Sequence, residues 1–117
     1  MTMFLITAIH LSCLGQIESG ANDLAVGKCG EVSRYQIQPT IWRQWTSIED
    51  AKDEKTSTEI AGWIWQSRIN SFCNTEHRAP TLQEVYLLWH RPGRVLNPKS
   101  LEFERAERFK NLVERKQ

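Results

Sequence analysis

The sequence predicts a mainly α-helical protein with one short irregular or β-like loop, and three observations lead to this fold class. Apolar residues recur at helical spacing in several separate stretches, and capping-box patterns precede two of them. The one strand-like alternation, at positions 31–37, is short. A chain of 117 residues without a repeat or linker has the size of one domain, which we predict over residues 1–117.

The first predicted helix lies near the N-terminus. Residues 3–14 resemble the apolar core of a signal peptide, but no Lys or Arg precedes them and no A-x-A-like cleavage site follows. The stretch is also too short for a membrane-spanning helix. Gly20 predicts the end of the helix. The apolar stripe that indicates a helix packed on a core consists of Ile6, Ile9, Cys13 and Ile17.

A glycine-containing loop and a short helix are predicted next. The stretch from Gly20 to about Gln38 is irregular and contains Gly27 and Gly30. Pro39 then occupies a position that the first turn of a helix tolerates, which predicts a short helix through Trp45.

Three further helices are predicted in the second half of the chain. Capping-box spacing at Thr56–Glu59 and Thr81–Glu84 marks the starts of two of them, and Pro92-Gly93 marks a stop. The three apolar stripes are Ala61, Trp65, Ile69 and Phe72; then Leu82, Val85, Tyr86 and Trp89; then Phe103, Ala106, Phe109 and Val113.

The composition disfavours several classes of partner and a metal site. The chain has 15 Lys and Arg against 14 Asp and Glu, and this balance disfavours nucleic acid or anionic membrane as a partner. Three cysteines, Cys13, Cys29 and Cys73, allow at most one internal disulfide, and we interpret them as buried residues with one partly exposed thiol. Their spacing does not indicate a metal site, and we predict no cofactor.

Two glutamates are candidates for acid–base chemistry. Glu18 lies at the predicted end of the first helix. There a carboxyl group faces the negative end of the helix dipole, and burial adds to this in favouring the protonated form that a general acid needs. Glu31 lies in the loop, and a turn could bring it to the same cleft. Paired carboxylates suit glycosidic bond cleavage. The alternative for both is a solvated side chain.

A third candidate region ends the fourth predicted helix. Tyr86 lies on its apolar stripe, while Trp89 and His90 are close to the stop signal. These side chains either pack in the core or line a binding site, and the sequence leaves both interpretations open.

Together these segments resemble the lysozyme-like superfamily, specifically its soluble lytic transglycosylase and goose-type lysozyme group. The resemblance covers about residues 5–93. It depends on Ile17-Glu-Ser-Gly20 with Asn22 and Ala25-Val-Gly27, on the segment from Gly30 to Tyr35-Gln-Ile37, and on Leu88-Trp-His-Arg-Pro-Gly93.

The resemblance implies roles for individual residues. Glu18 matches the catalytic acid, and Ser19 matches a serine that contacts the sugar's N-acetyl group. Tyr35 and Gln36 match the loop that lines a saccharide cleft, where Tyr86 is a further candidate. Glu31 matches, more loosely, an aspartate of hen-type lysozymes. Two departures accompany these matches: Trp89 and His90 replace a Tyr-Asn pair near the acid, and Arg34 stands where many members have glycine.

The resemblance also implies a function. It predicts an enzyme that cleaves the β-1,4 glycosidic bond of peptidoglycan, either as a lytic transglycosylase or as a lysozyme-type muramidase. The alternative is a non-catalytic module on the same lysozyme-like fold that binds peptidoglycan or a chitooligosaccharide. The expected protein is a monomer outside the cytoplasm.

Overall fold

A computed structural model describes residues 3–117, which contain five α-helices and almost no strand. Within this range, pairing of the β type is limited to isolated bridges between Val26 and Val32 and between Val32 and Ile37. The predicted mainly α-helical class is confirmed. The helices are α1 (Ala8–Ser19), α2 (Pro39–Trp45), α3 (Glu54–Glu76), α4 (Leu82–His90) and α5 (Ser100–Lys116), with a 3-10 turn at Pro92–Arg94.

The first helix begins and ends with recognisable caps. Thr7 precedes α1, and its backbone N–H donates to Nδ1 of His10 at 2.9 Å. Gly20 ends the helix in the left-handed conformation, with φ of 66°, as its position in the sequence predicts. Cys13 and Ile17 are buried as predicted, but Ile6 precedes the helix and Ile9 is only partly buried. Leu14 and His10 complete the buried face instead.

The long helix α3 begins earlier than its capping-box pattern predicts. Its N-cap is Asp53, whose carboxylate accepts hydrogen bonds from the backbone N–H (2.8 Å) and the hydroxyl (2.7 Å) of Thr56. The prediction of a start at Thr56 was wrong because Asp53, three residues upstream, caps the backbone N–H of Thr56 and so lets residues 54–56 form the first turn. The predicted start of α4 is confirmed, since Thr81 and Glu84 form the reciprocal capping box.

Aromatic side chains join α3, α4 and α5 in the core. The Trp65 indole is fully buried and donates from Nε1 to the carbonyl of Val85 at 2.7 Å. Its ring meets those of Trp89 and Phe109 edge-on, at centroid distances of 5.9 and 5.8 Å. The ring of Tyr86 lies 5.7 Å from that of Phe109. Each of these contacts combines burial of a large apolar surface with a favourable ring geometry.

The last helix departs from its predicted stripe at one position. Ala106, Phe109 and Val113 are buried as expected, but Phe103 is 47% exposed. Glu102 is 8% exposed in its place, with Oε1 accepting the backbone N–H of Lys99 at 2.8 Å. Phe103 is exposed where Glu102 is buried because consecutive residues point about 100° apart around the helix axis. The capping role of Glu102 therefore determines which face of α5 begins in the core.

The cysteines match their interpretation. Cys13 and Cys73 are buried free thiols, and Cys29 is an exposed free thiol. Across residues 3–117, every helix is too short or too polar to cross a lipid bilayer.

We expect His10 to make the stability of the fold depend on pH. Burial lowers the pKa of the His10 imidazole below its ordinary value of 6.5. As the pH falls below about 6.5, the unfolded chain therefore binds a proton that the folded chain does not, and stability is lost. His10→Gln keeps a capping acceptor but does not titrate. Urea unfolding at pH 7.5 and 5.5 should show a smaller loss in the variant. Equal losses in the two proteins would contradict this role.

Candidate functional site

A cleft of about 600 Å³ opens between the loop that follows α1, the helix α3 and the end of α4. This volume lies within the usual range for small-molecule and cofactor sites. The walls are mixed in character, with acidic, basic, amide and apolar side chains. They include Glu18, Glu31, Gln36, Ile37, Ile41, Ile64, Arg68, Trp89, His90, Arg91 and Arg94.

Glu18 is an enclosed acidic side chain at the wall of the cleft. It lies in the last turn of α1, with 8% of its side-chain surface exposed. Three residues from other helices surround the carboxyl group. Tyr86 and His90 approach Oε1 at 2.8 and 3.5 Å, and Arg105 approaches Oε2 at 3.4 Å. A buried carboxylate without such partners is strongly destabilising. The partners from α4 and α5 therefore offset the cost of enclosing Glu18.

Tyr86 provides the shortest contact to Glu18. Its side chain is fully buried, and burial together with the adjacent Glu18 carboxyl raises the pKa of the Tyr86 hydroxyl. The hydroxyl therefore stays protonated at neutral pH and donates to Oε1. The ring of His90 stacks on that of Tyr86 at 5.4 Å. The family resemblance assigned the aromatic residue near the acid to Trp89, but Tyr86, one helical turn earlier, is the residue that contacts the carboxyl group.

The loop between α1 and α2 is held in one shape by an ion pair. Arg34 donates from Nε and a terminal nitrogen to the two carboxylate oxygens of Asp23, at 2.7 and 2.8 Å. These hydrogen bonds lower the pKa of the Asp23 carboxyl. Ser19 joins the loop to α1, because its hydroxyl donates to the carbonyl of Arg34 at 2.8 Å. Arg34 therefore crosslinks the loop.

Gln36 is held in a left-handed conformation that is unusual outside glycine. Its φ is 54°, and Ser33 in the same turn has a φ of 71°. The Gln36 side chain offsets this cost by donating from Nε2 to the carbonyls of Ser33 (2.9 Å) and Ala25 (3.3 Å). Strained residues of this kind concentrate at binding sites, where a loop must present a particular shape.

Glu31 faces Gln36 across Gly27. Its Oε1 accepts the backbone N–H of Cys29 at 3.0 Å. A Cβ atom on Gly27 would collide with the carboxylate of Glu31 and with Oε1 of Gln36. Gly27 therefore leaves the space in which the two polar side chains enter the cleft together.

Five of the eight predicted site residues line the cleft, and the other three lie outside its lining. Tyr35 is buried, with its hydroxyl 2.8 Å from Oγ1 of Thr58, and its carbonyl accepts the indole N–H of Trp89. Ser19 and Tyr86 also lie outside the lining, where they hold the loop and Glu18. The lining residues are Glu18, Glu31, Gln36, Trp89 and His90.

Four arginines of the site were not predicted. Arg105 contacts Glu18, and Arg68, Arg91 and Arg94 form the basic side of the cleft. One sequence signal was present for Arg105, because it directly precedes Ala106 on the buried stripe of α5. Arg91 lies within the quoted segment Leu88–Gly93, but it was given no role there. For Arg68 and Arg94, nothing in the local pattern separates them from solvated surface arginines.

Comparison of the chain with protein-family models, with curated proteins and with solved structures finds no match. The arrangement of side chains around the cleft is therefore the basis for a functional proposal. Its chemistry is that of one enclosed carboxyl group with fixed donors, a second carboxylate in the loop and a basic wall.

We expect a measurable coupling energy between Tyr86 and Glu18. Tyr86→Phe removes the donor of the hydrogen bond, and Glu18→Gln replaces its charged acceptor with a weaker, neutral amide oxygen. The stability losses of the single variants should therefore not add in the double variant. Contacting polar pairs give interaction energies of roughly 0.5–3 kcal/mol. Denaturant unfolding of the four proteins measures this. As a control, Tyr35→Phe should combine additively with Glu18→Gln. Additive losses for Tyr86→Phe would contradict the predicted coupling.

We also expect Gly27→Ala to affect ligand binding more than stability. The added methyl group displaces the mobile ends of Glu31 and Gln36, not the backbone. The control is Gly62→Ala in α3, where the nearest atom, on Leu11, lies 3.9 Å from the new Cβ. This control should stabilise the helix by up to about 1 kcal/mol. Thermal unfolding and titration with chitotetraose, from the ligand class that the sequence resemblance predicts, test the expectation in both variants. Unchanged affinity in Gly27→Ala would oppose it.

Proposed function

We propose that this protein cleaves β-1,4 glycosidic bonds of peptidoglycan, with Glu18 as the general acid, and that it has the lysozyme-like fold that its motifs resemble. The observation that carries the proposal is the position of Glu18. It is an enclosed carboxyl group at the wall of a cleft, fixed by the hydroxyl of Tyr86, with the second carboxylate, Glu31, in the same cleft. A general acid for glycoside cleavage needs this combination of enclosure, fixed orientation and access to substrate.

In the proposed reaction, the protonated Glu18 carboxyl donates its proton to the oxygen between N-acetylmuramic acid and N-acetylglucosamine. The bond from that oxygen to the ring carbon breaks, and positive charge develops on the ring. Glu18 is then a carboxylate, and it remains paired because Tyr86 donates to Oε1 and Arg105 lies 3.4 Å from Oε2. The site thus holds the product form of the acid without a large rearrangement.

Two acceptors can complete the reaction. If the C6 hydroxyl of the muramic acid attacks the ring carbon, Glu18 takes the hydroxyl proton and a 1,6-anhydro end forms. If water attacks, a reducing end forms, and Glu31 activates the water or stabilises the positive charge. The two products differ by one water molecule in mass.

The shape and charge of the molecule agree with a glycan substrate. A net charge of +1 does not favour partners that are recognised by charge alone. The cleft instead offers amide, carboxylate and guanidinium groups beside the apolar surfaces of Ile37, Ile41 and Trp89, which suits sugar hydroxyls and ring faces. The proposal includes a location outside the cytoplasm, where peptidoglycan lies, and activity as a monomer.

A non-catalytic glycan-binding module is the second candidate, and one observation favours it. Both oxygens of Glu18 already accept a hydrogen bond within 3.5 Å, from Tyr86 at Oε1 and from Arg105 at Oε2. A carboxylate with this many partners can serve as a fixed acceptor for sugar hydroxyls. Such a module binds a chitooligosaccharide or muropeptide glycan and releases it unchanged.

The test compares the native protein with Glu18→Gln and with Glu59→Gln, a control at an exposed position of α3. Clearing of a peptidoglycan suspension should fall by roughly 10²-fold or more in Glu18→Gln, the usual contribution of a general acid. It should be unchanged in Glu59→Gln. Mass spectrometry of the released fragments then identifies anhydro or reducing ends.

Equal rates for the native protein and Glu18→Gln would reject catalysis by Glu18. Binding of the glycan without fragments, in the native protein, would establish the second candidate.

A further inference from the structure

The basic side of the cleft contains one arginine without a carboxylate partner. Arg91 and Arg94 lie 3.6 and 3.8 Å from Oε2 of Glu102, and both arginine side chains are exposed. Arg68 also lines the cleft, but among residues 3–117 no carboxylate oxygen lies within 4.0 Å of its guanidinium. Its charge is therefore compensated neither by a salt bridge nor by full exposure to water.

Arg68 is held rigidly from α3 against the end of α4. One terminal nitrogen donates to the carbonyls of Trp89 (2.8 Å) and Leu88 (3.3 Å), which belong to the last turn of α4. The guanidinium carbon lies 5.6 Å from the centre of the Trp89 ring. The carbonyl end of a helix and the face of an indole both attract a cation, so the orientation of the group is set before any ligand arrives.

The remaining nitrogens of Arg68 are available to a ligand. Both of its hydrogen bonds use the same terminal nitrogen, which leaves Nε and the other terminal nitrogen. Every buried side-chain nitrogen or oxygen in the described chain has a hydrogen-bond partner, so these two nitrogens contact solvent. Together they form the edge of the guanidinium that binds a carboxylate through two parallel hydrogen bonds.

Burial increases the free energy that Arg68 gains by binding an anion, compared with an arginine on the surface. Partial burial lowers the pKa of the Arg68 guanidinium below its ordinary value, but a guanidinium keeps its charge throughout the physiological range. Bringing an anion to a charge that is already stripped of part of its water yields more free energy than at an exposed site. The same geometry gives a neutral sugar much less.

We propose that Arg68 binds a carboxylate carried by the glycan and thereby makes the cleft prefer glycans that contain muramic acid over neutral chitooligosaccharides. This inference depends on the proposed function for the class of ligand. Muramic acid bears the carboxylate on its lactyl ether when the stem peptide is absent. When the peptide is present, the carboxylates lie on the peptide.

The test measures dissociation constants in a Glu18→Gln background, so that cleavage does not interfere. The probes are a peptide-free tetrasaccharide with free lactyl carboxylates, the same tetrasaccharide as its methyl ester, a peptide-bearing form, and chitotetraose. We expect the carboxylate forms to bind at least tenfold more tightly than chitotetraose and the ester.

Arg68→Gln should reduce this preference to less than threefold, and Arg68→Lys should restore part of it. Because Gln is shorter than Arg, thermal unfolding of each variant is measured as well, to separate a lost ligand contact from a destabilised fold. Arg108→Gln, which removes the same charge from an exposed position of α5, should leave the preference unchanged. If the peptide-bearing form alone is preferred, the bound carboxylate is that of the peptide.

An equal loss of affinity for all four probes in Arg68→Gln would show a purely structural role and overturn the proposal. So would the absence of any preference, or of any binding, in the parent protein. Cleavage by the native protein without an Arg68-dependent preference would leave the proposed function standing and refute this inference. An Arg68-dependent preference without cleavage would support this inference and refute the proposed cleavage.

Discussion

The contact between Tyr86 and Glu18 constrains the rest of the structure. It joins the aromatic core to the wall of the cleft, because the Tyr86 ring packs beside Phe109 while its hydroxyl donates to Oε1 of Glu18 at 2.8 Å. A carboxyl group that is 8% exposed requires partners, and they come from α4 and α5. The packing of these helices against α1 therefore also creates the enclosed position of the proposed general acid.

The opposite wall of the cleft is the irregular loop between α1 and α2, whose conformation is stabilised by side-chain hydrogen bonds. The Arg34–Asp23 pair, the hydroxyl of Ser19 and the amide of Gln36 all bind groups within this loop or at its junction with α1. They offset the cost of two non-glycine residues in the left-handed conformation, Ser33 and Gln36. A short loop can thus present polar side chains at fixed positions without the support of a sheet.

Helix positions were largely predictable, because caps and apolar spacing are local. The capping box at Thr81 and the stop at Gly20 were confirmed. The errors also have local causes: Asp53 provides an earlier cap for α3, and Glu102 displaces Phe103 from the buried face of α5. Among the residues that line the cleft, those predicted from the sequence lie in motifs, such as Glu18 and Gln36. Arg68 and Arg105 were missed because their roles depend on contacts distant in the sequence.

The sequence by itself determined that the chain is mainly helical and that Glu18 ends the first helix just before a glycine-containing loop, since both follow from interactions between near neighbours. Tertiary structure decided which groups surround that carboxyl. Tyr86 and Arg105 are 68 and 87 positions away from it along the chain. Their approach depends on how α4 and α5 pack, which is set by the combined burial of many aromatic and aliphatic side chains and not by any single segment.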